Sequence, residues 1–335
     1  MGAVRPILLR GHERSLTKIK YNRHGDLILT TSKDNKPNVW YADNGERLGT
    51  LNGHNGTVWD IDIDYNSNYI LTASADSTMR LWDVNTGKQI YSWEFKAPVR
   101  SASFSFCGQK AVCITDAAMG QPSTIHFLDV PRRIISTTQS IVITSSKATI
   151  AKWGPMDRIL YTGHEDGSVA MYDAATCKKL KSVKLHSGSI QDLQFAPVQD
   201  MGYFITASKD CTAMIYETAT LKDMKTFTTS RPVNSACISP LRHHIILGGG
   251  QEAMSVTTTS QRHEKFEVRF FHAIFEDEIA RCKGHFGPIN TLAWSPDGKS
   301  FASGGEDGYV RVHHLAQDYF DFAFDEEVHP EEMDL

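Results

Sequence analysis

Four histidines stand at a nearly fixed distance before an aspartate. His12 precedes Asp34, His54 precedes Asp76 and His285 precedes Asp307 by 22 residues each, and His186 precedes Asp210 by 24. An imidazole oriented by a carboxylate is how many general bases are built, so proton transfer is the first chemistry these pairs suggest. Their repetition argues against it. One active site does not need four copies, and no G-x-S-x-G nucleophile turn accompanies them. The competing reading is structural: a buried imidazole and carboxylate that tie together a recurring piece of chain.

Other chemistry-bearing residues lead no further. The adjacent pairs His243-His244 and His313-His314 suggest metal, yet neighbours on a strand point to opposite faces and do not easily share one ion. Six cysteines (Cys107, Cys113, Cys177, Cys211, Cys237 and Cys282) lack paired ligand spacing and read as small hydrophobes in a reducing compartment. Gly248-Gly249-Gly250 looks superficially like a phosphate-cradling loop, but no Lys-Ser or Lys-Thr follows, so a turn between strands suffices. The basic run Lys178, Lys179, Lys181 and Lys184 has no interleaved aromatics of the kind that stack on single-stranded RNA, and reads as a solvated strand face. No catalytic set, metal or cofactor is expected.

The elements that position the histidines and aspartates are strands. The stretch from Leu51 to Asp83 holds three short apolar runs, Val58 to Ile63, Tyr69 to Ala73 and Met79 to Trp82, separated by turn-forming polar residues. In the first run Trp59, Ile61 and Ile63 alternate with Asp60, Asp62 and Asp64, a period of two that suits a pleated strand. The same unit recurs. Aligned on the turn aspartate, Asp34, Asp76, Asp166, Asp210 and Asp307 are each followed six positions later by Trp40, Trp82, Tyr172, Tyr216 or His313. Two gaps of the right size hold degenerate copies, Pro98 to Asp129 and Pro232 to His272, which brings the count to seven. A unit this small cannot cover its own sheet faces, so the copies must stack on one another.

Composition agrees with a folded body. Of 335 residues, 41% are hydrophobic and 22% charged, ordinary for a globular chain, and the net charge is −4. The negative charge is concentrated at the end: the last 20 residues carry eight acidic side chains and no Lys or Arg, so the remainder is slightly basic and too weakly so to argue for nucleic acid. The amino-terminal segment lacks the uninterrupted apolar stretch of a signal peptide, and no run approaches the roughly 20 residues that span a bilayer. Gly2 is not read as a myristoylation site, because Pro6 stands where Ser or Thr is required.

Seven units of roughly 40 to 50 residues with His, Asp and Trp at these offsets resemble the WD-repeat family. The resemblance implies an all-β, seven-bladed propeller of four-stranded antiparallel sheets. It also implies a buried network of histidine, Ser or Thr, turn aspartate and Trp. The sets would be His12, Ser32, Asp34 and Trp40; His54, Ser74, Asp76 and Trp82; His186, Ser208, Asp210 and Tyr216; and, incompletely, His285 with Asp307, where Gly305 and His313 replace Ser and Trp. The third unit has Ala97 near the histidine position. The family's ring closure implies that Pro6 to Leu9 pairs with the last unit, so residues 1–317 would form one propeller and 318–335 an acidic, aromatic tail that starts as a strand or packed edge and becomes disordered after Asp325.

A sharper resemblance rests on longer strings: SRPVNSACISPLRHHIILGGGQEAMSVTTTS, KFEVRFFHAIFEDEIARCKGHFGPINTLAWSPDG and the amino-terminal ILLRGHERSLTKIKYNRHGDL. These are similar to the i-subunit family of eukaryotic translation initiation factor 3, over about Pro6 to Phe324. The resemblance implies a cytoplasmic, non-catalytic scaffold whose neighbours are the b subunit, through its carboxy-terminal segment, and the g subunit, with the 40S ribosomal subunit reached through the complex. It points to the fifth and sixth units for partner contact, where Asp200, Glu217 and Gln251 are the candidates; Glu217 also occupies the position of Asp83 and so could simply cap its turn. Two rival readings share the chain: a WD-repeat adaptor of another complex, and a propeller hydrolase, which would need its catalytic groups gathered at one mouth of the channel.

Overall fold

The computed structural model describes residues 6–118, 120–197, 202–250 and 266–321. They form seven four-stranded antiparallel sheets. The blades are numbered here by their innermost strands: Leu16–Tyr21, Val58–Ile63, Val99–Phe104, Ala148–Trp153, Ile190–Phe195, Val233–Ile238 and Ile289–Trp294. Within blade 2 the order is Val58–Ile63, Tyr69–Ser74, Thr78–Asp83 and Gln89–Glu94, each strand pairing with the next in sequence. The degenerate third and sixth units form blades like the rest.

Blade 7 is completed from the other end of the chain. Ile7–Leu9 pairs antiparallel with Val310–His314, with Ile7 opposite Val312 and Leu9 opposite Val310. Leu9 is 1% exposed and packs with Leu16, Ile28 and Trp40 of blade 1 and Ala302 and Val312 of blade 7, so the closing strand is held by burial as well as by its ladder. The pattern is general, because the hydrophobic core lies between blades. Leu29 and Val39 of blade 1 meet Ile61, Ile70 and Trp82 of blade 2, and Phe127 of blade 3 meets Trp153 of blade 4 edge to face.

Every inner strand carries a β-bulge at its second residue, where the register against the next strand skips one position. The skipped residues are Thr17, Trp59, Arg100, Thr149, Gln191, Asn234 and Asn290. Four of them reach sideways to a carbonyl of the next blade: Thr17 to Val58 (2.5 Å), Thr149 to Ile190 (2.7 Å), Asn234 to Ile289 (3.0 Å) and Asn290 to Leu16 (3.0 Å). The bulge thus turns a short polar side chain into a strap between blades.

The aspartate face of the first strand does not meet water. Asp60, Asp62 and Asp192 are 4%, 2% and 2% exposed. They belong to a set of ion pairs among the inner strands: Lys152 with Asp60 (3.2 Å), Lys20 with Asp62, and Lys18 of blade 1 with Asp192 of blade 5 across the ring (2.6 Å). Asp60 also accepts from the Ser101 hydroxyl (2.8 Å) and the Ala102 amide (3.2 Å), while Asp192 accepts from Ser235 (2.5 Å) and Gln194 (2.8 Å). Burial alone would raise the Asp60 carboxyl, but Lys152 and Lys18 hold it below its ordinary value. Burial would lower Lys152, and Asp60, Asp62 and Asp192 keep it raised. Asp60 and Lys152 therefore both stay charged.

The tail begins packed against the propeller, as expected, but as a helix and not a strand. Gln317–Asp321 makes one turn in which Tyr319 is 3% exposed, its hydroxyl 2.7 Å from His244 Nδ1, while the Arg242 guanidinium donates to the Phe320 carbonyl. The tail beyond 321 lies outside the described residues.

Candidate functional site

The histidine–aspartate pairs assemble where one blade gives way to the next: His12, His54 and His186 lie in the connector that enters a blade, and His285 ends the outer strand of blade 6 while its partner Asp307 belongs to blade 7. In blade 2, His54 Nδ1 is 2.8 Å from Asp76 Oδ2 and His54 Nε2 is 2.6 Å from Thr72 Oγ1, while the Trp82 indole donates to the same Thr72 oxygen at 2.9 Å. One proton arrangement satisfies every group: indole N–H to hydroxyl oxygen, hydroxyl O–H to Nε2, and Nδ1–H to carboxylate. Blade 1 repeats it with His12, Asp34, Thr30 and Trp40 at 2.8, 2.7 and 2.8 Å.

The hydroxyl between ring and indole is therefore Thr72, and in blade 1 Thr30, instead of the serine two residues further on. Ser74 works from the turn side: its oxygen accepts from the Asp76 amide (3.2 Å) and its hydroxyl donates to the Gly56 carbonyl (3.2 Å). Ser32 and Ser208 do the same for Asp34 and Asp210. The threonines were hidden because Thr is common in strands; only the Thr-x-Ser spacing on one face of the second strand, in blades 1, 2 and 5, marks them.

The other blades vary the theme. His186 pairs with Asp210 (3.1 Å) and Thr206 (2.8 Å), and Tyr216 stands in the Trp position, its hydroxyl meeting Thr206 and Met214 Sδ (3.5 Å). In blade 7 His285 lies 3.2 Å from both Asp307 oxygens and 2.8 Å from Ser303, and Arg311 donates to Asp307 at 2.9 Å. Gly305 is required there, since a Cβ would stand 2.6 Å from His285 Nδ1 and 2.8 Å from Asp307 Oδ1. His313 fills the Trp position by stacking on Phe301 (4.7 Å, 11°). Blade 4 takes its imidazole from the second strand, where His164 Nε2 lies 2.9 Å from Thr162. In blade 3 Ala97 stands buried where the histidine would be.

Burial pushes the Asp76 carboxyl up, but the hydrogen bonds from His54 and Thr78 more than reverse this and hold it well below 3.8; Asp34, Asp210 and Asp307 are lowered in the same way. Burial pushes His186 and His285 below 6.5 against the pull of Asp210 and Asp307, and His313 down to about 3. A depressed folded-state pKa means that the unfolded chain binds more protons as pH falls, so these groups stabilise the fold above their unfolded values and progressively less below them. The histidine share is lost first, from 6.5 downward, and the aspartate share from 3.8 downward. Melting temperature should fall from pH 7.5 to pH 5 and more steeply toward pH 3; thermal melts at these pH values would contradict the assignment if the midpoint rose on acidification.

Chemically, these sites are closed. Both imidazole nitrogens of His12, His54, His186 and His285 already have hydrogen-bond partners, and the four rings are spread around the ring of blades. Among the described residues, no three His, Cys, Asp or Glu side chains gather as a metal-binding group, and no helix is long and apolar enough to cross a membrane. Of the candidate contact residues, Asp200 and Gln251 lie outside the described residues. Glu217 ends the third strand of blade 5, half-buried, and its carboxylate accepts from the Thr220 hydroxyl in the following turn, much as Asp83 accepts from Thr86 (3.0 Å). The turn-capping role is present whatever else Glu217 does.

A closed ring of seven four-stranded blades with His–Asp–Thr–Trp ties in its turns makes this a WD-repeat β-propeller. The family model EIF3I matches residues 4–325. The chain is 50% identical to eukaryotic translation initiation factor 3 subunit I of Bombyx mori over 328 residues, which covers 96% of this chain and 99% of that protein. It is 51% identical to the Xenopus tropicalis subunit I over 326 residues and 50% identical to that of Drosophila melanogaster over 328, covering 96% of this chain and 100% of each relative. The chain belongs to the eukaryotic translation initiation factor 3 subunit I family.

Proposed function

We propose that the chain is a non-catalytic scaffold subunit of cytoplasmic translation initiation factor 3. In this reading it holds the carboxy-terminal segment of the b subunit and the g subunit, and supports 40S-associated assembly and mRNA recruitment. The observation that carries the reading is the saturation of the repeated His–Asp sites by neighbouring groups of the fold, beside a sequence that matches subunit I relatives along nearly its whole length. A body braced by inter-blade straps and buried ion pairs presents loops and strand edges without rearranging, which suits a platform for an amphipathic partner segment.

Glu217, with Asp200 earlier in the same repeat of the sequence, is the proposed acidic contact for Arg or Lys of the b subunit. Charge reversal of both should weaken binding of the purified b-subunit segment by roughly tenfold or more, as expected when like charges face each other across an interface. Isothermal titration on the folded double variant reads this directly. Unchanged affinity would remove these two carboxylates from the interface.

A further inference from the structure

The outer strands of the blades are not covered alike. Five of them bury a side chain, Leu9, Trp93, Ile141, Phe227 or His285, and that of blade 1, Arg47–Thr50, is only four residues long. Blade 4 differs. Its outer strand, Lys179–Lys184, is exposed at every position but Val183. It ends its sheet, pairing with Ser168–Asp173 on one side and with no strand among the described residues on the other. The register against Ser168–Asp173 skips Leu180, and this bulge leaves Leu180 52% exposed, with Leu185 just beyond it at 40%. Such an edge offers unpaired backbone N–H and C=O groups beside uncovered apolar surface.

Charge selects what this edge can take. The strand carries Lys179, Lys181 and Lys184 and no carboxylate, and Lys178 precedes it. Other outer strands lack that balance: Gln89–Glu94 ends in Glu94, Ile134–Val142 has no charged residue, Asp223–Thr228 opens on Asp223 and Glu278–His285 on Glu278. The excess survives a wider count. Over the outer strands of blades 3 to 5 and the turns that enter them, residues 129–142, 173–184 and 217–228, eight Lys or Arg stand against four Asp or Glu. Asp173, the nearest carboxylate in sequence, accepts from the Ala175 and Thr176 amides of its own turn (2.9 and 2.7 Å). Lys181 donates to the Thr220 carbonyl of blade 5, whereas Lys178, Lys179 and Lys184 form no ion pair among the described residues. Lysines on an edge repel a second basic strand, so they keep copies of this chain apart, and the same charge favours an acidic strand.

We propose that the free edge of Lys179–Lys184 is a docking surface for an extended acidic segment of a partner protein, which adds to blade 4 as a fifth strand. The segment alternates Asp or Glu with aliphatic residues. Its backbone pairs with the open edge, its carboxylates meet the lysines, and its aliphatic side chains cover Leu180. A nucleic acid fits this edge less well, because the strand offers no aromatic ring for a base to stack on and places Leu180 among the lysines. The surface is distinct from the contact proposed at Glu217, which takes a partner of the opposite charge.

The test is fluorescence anisotropy on the purified full chain with the labelled octapeptide Glu-Val-Asp-Leu-Glu-Val-Asp-Leu as probe. Saturable binding is expected, weakened by about tenfold in the double variant Lys179→Glu, Lys184→Glu and unchanged in the control Lys88→Glu, Lys299→Glu on blades 2 and 7. All four lysines are exposed, and circular dichroism checks that both variants fold. A peptide with Pro in place of each Val keeps the charge but loses strand donors, and should bind several-fold more weakly. A second readout needs no charge variant: Leu180→p-benzoylphenylalanine should photo-crosslink to the octapeptide several-fold more than Leu48→p-benzoylphenylalanine on the outer strand of blade 1, where Leu48 is 46% exposed. Absence of saturable binding, an equal loss in the control variant, equal binding of the proline peptide, equal crosslinking from position 48, or tighter binding of oligouridine than of the octapeptide would each overturn the proposal.

Discussion

Replacing Asp60 by alanine is expected to cost about 3–5 kcal/mol of stability, the range for breaking a buried ion pair by removing one partner. Asp60 takes the Lys152 ammonium, the Ser101 hydroxyl and the Ala102 amide at once, and all lie where water does not replace them. The loss would appear as a shift in the guanidinium midpoint followed by tryptophan fluorescence, and as a fall in melting temperature of about 5–10 °C. The double variant Asp60→Ala, Lys152→Met should recover part of the loss, because it removes the stranded charge while keeping an apolar side chain of similar length. A cost below about 1 kcal/mol, within the range of exposed pairs, would mean that the inner-strand charges are solvated.

Thr72→Val is expected to be the second largest effect, about 2–3 kcal/mol, because two buried partners, His54 Nε2 and Trp82 Nε1, lose the oxygen they share. Valine keeps the branched shape and strand preference, so packing changes little. Ser74→Ala should cost less, about 1 kcal/mol, since its partners are backbone groups of a partly exposed turn. Chemical denaturation of the two variants side by side discriminates the roles; a larger loss at Ser74 would place the bridging hydroxyl there after all.

The turn aspartates and the blade count can be read from the chain because they depend on local spacing repeated many times, whereas the closing strand Ile7–Leu9 is expected only through the family resemblance. His54 and Asp76 sit at the same offset as His12 and Asp34, and a turn aspartate followed six positions later by an aromatic needs no tertiary information to be noticed. What cannot be read is whatever depends on the ring being closed. Lys18 and Asp192 are 174 residues apart and meet only because blades 1 and 5 face each other across the ring. The alternation of Asp60 and Asp62 with Ile61 and Ile63 announces a strand but does not reveal that its polar face is also buried. Thr72 is similarly concealed: one threonine among many in strands acquires its role from the indole and imidazole that the fold brings to it. Tyr319 lies in a segment whose alternating aromatics suggest a strand, and its docking against His244 selects a helical turn instead.

The proposed contact at Glu217 of blade 5 would sit on a framework that does not need to move. The His–Asp pairs brace that framework from within. Everything proposed for this chain rests on its working as an assembled subunit. Affinity capture of the tagged full chain from eukaryotic cell extract, with stoichiometry read by quantitative mass spectrometry, tests that claim most directly. The account predicts the other initiation factor 3 subunits, b and g among them, at near-equal amounts, with 40S proteins alongside. Recovery of the folded chain with the subunits of a different complex, and without b and g, would contradict it.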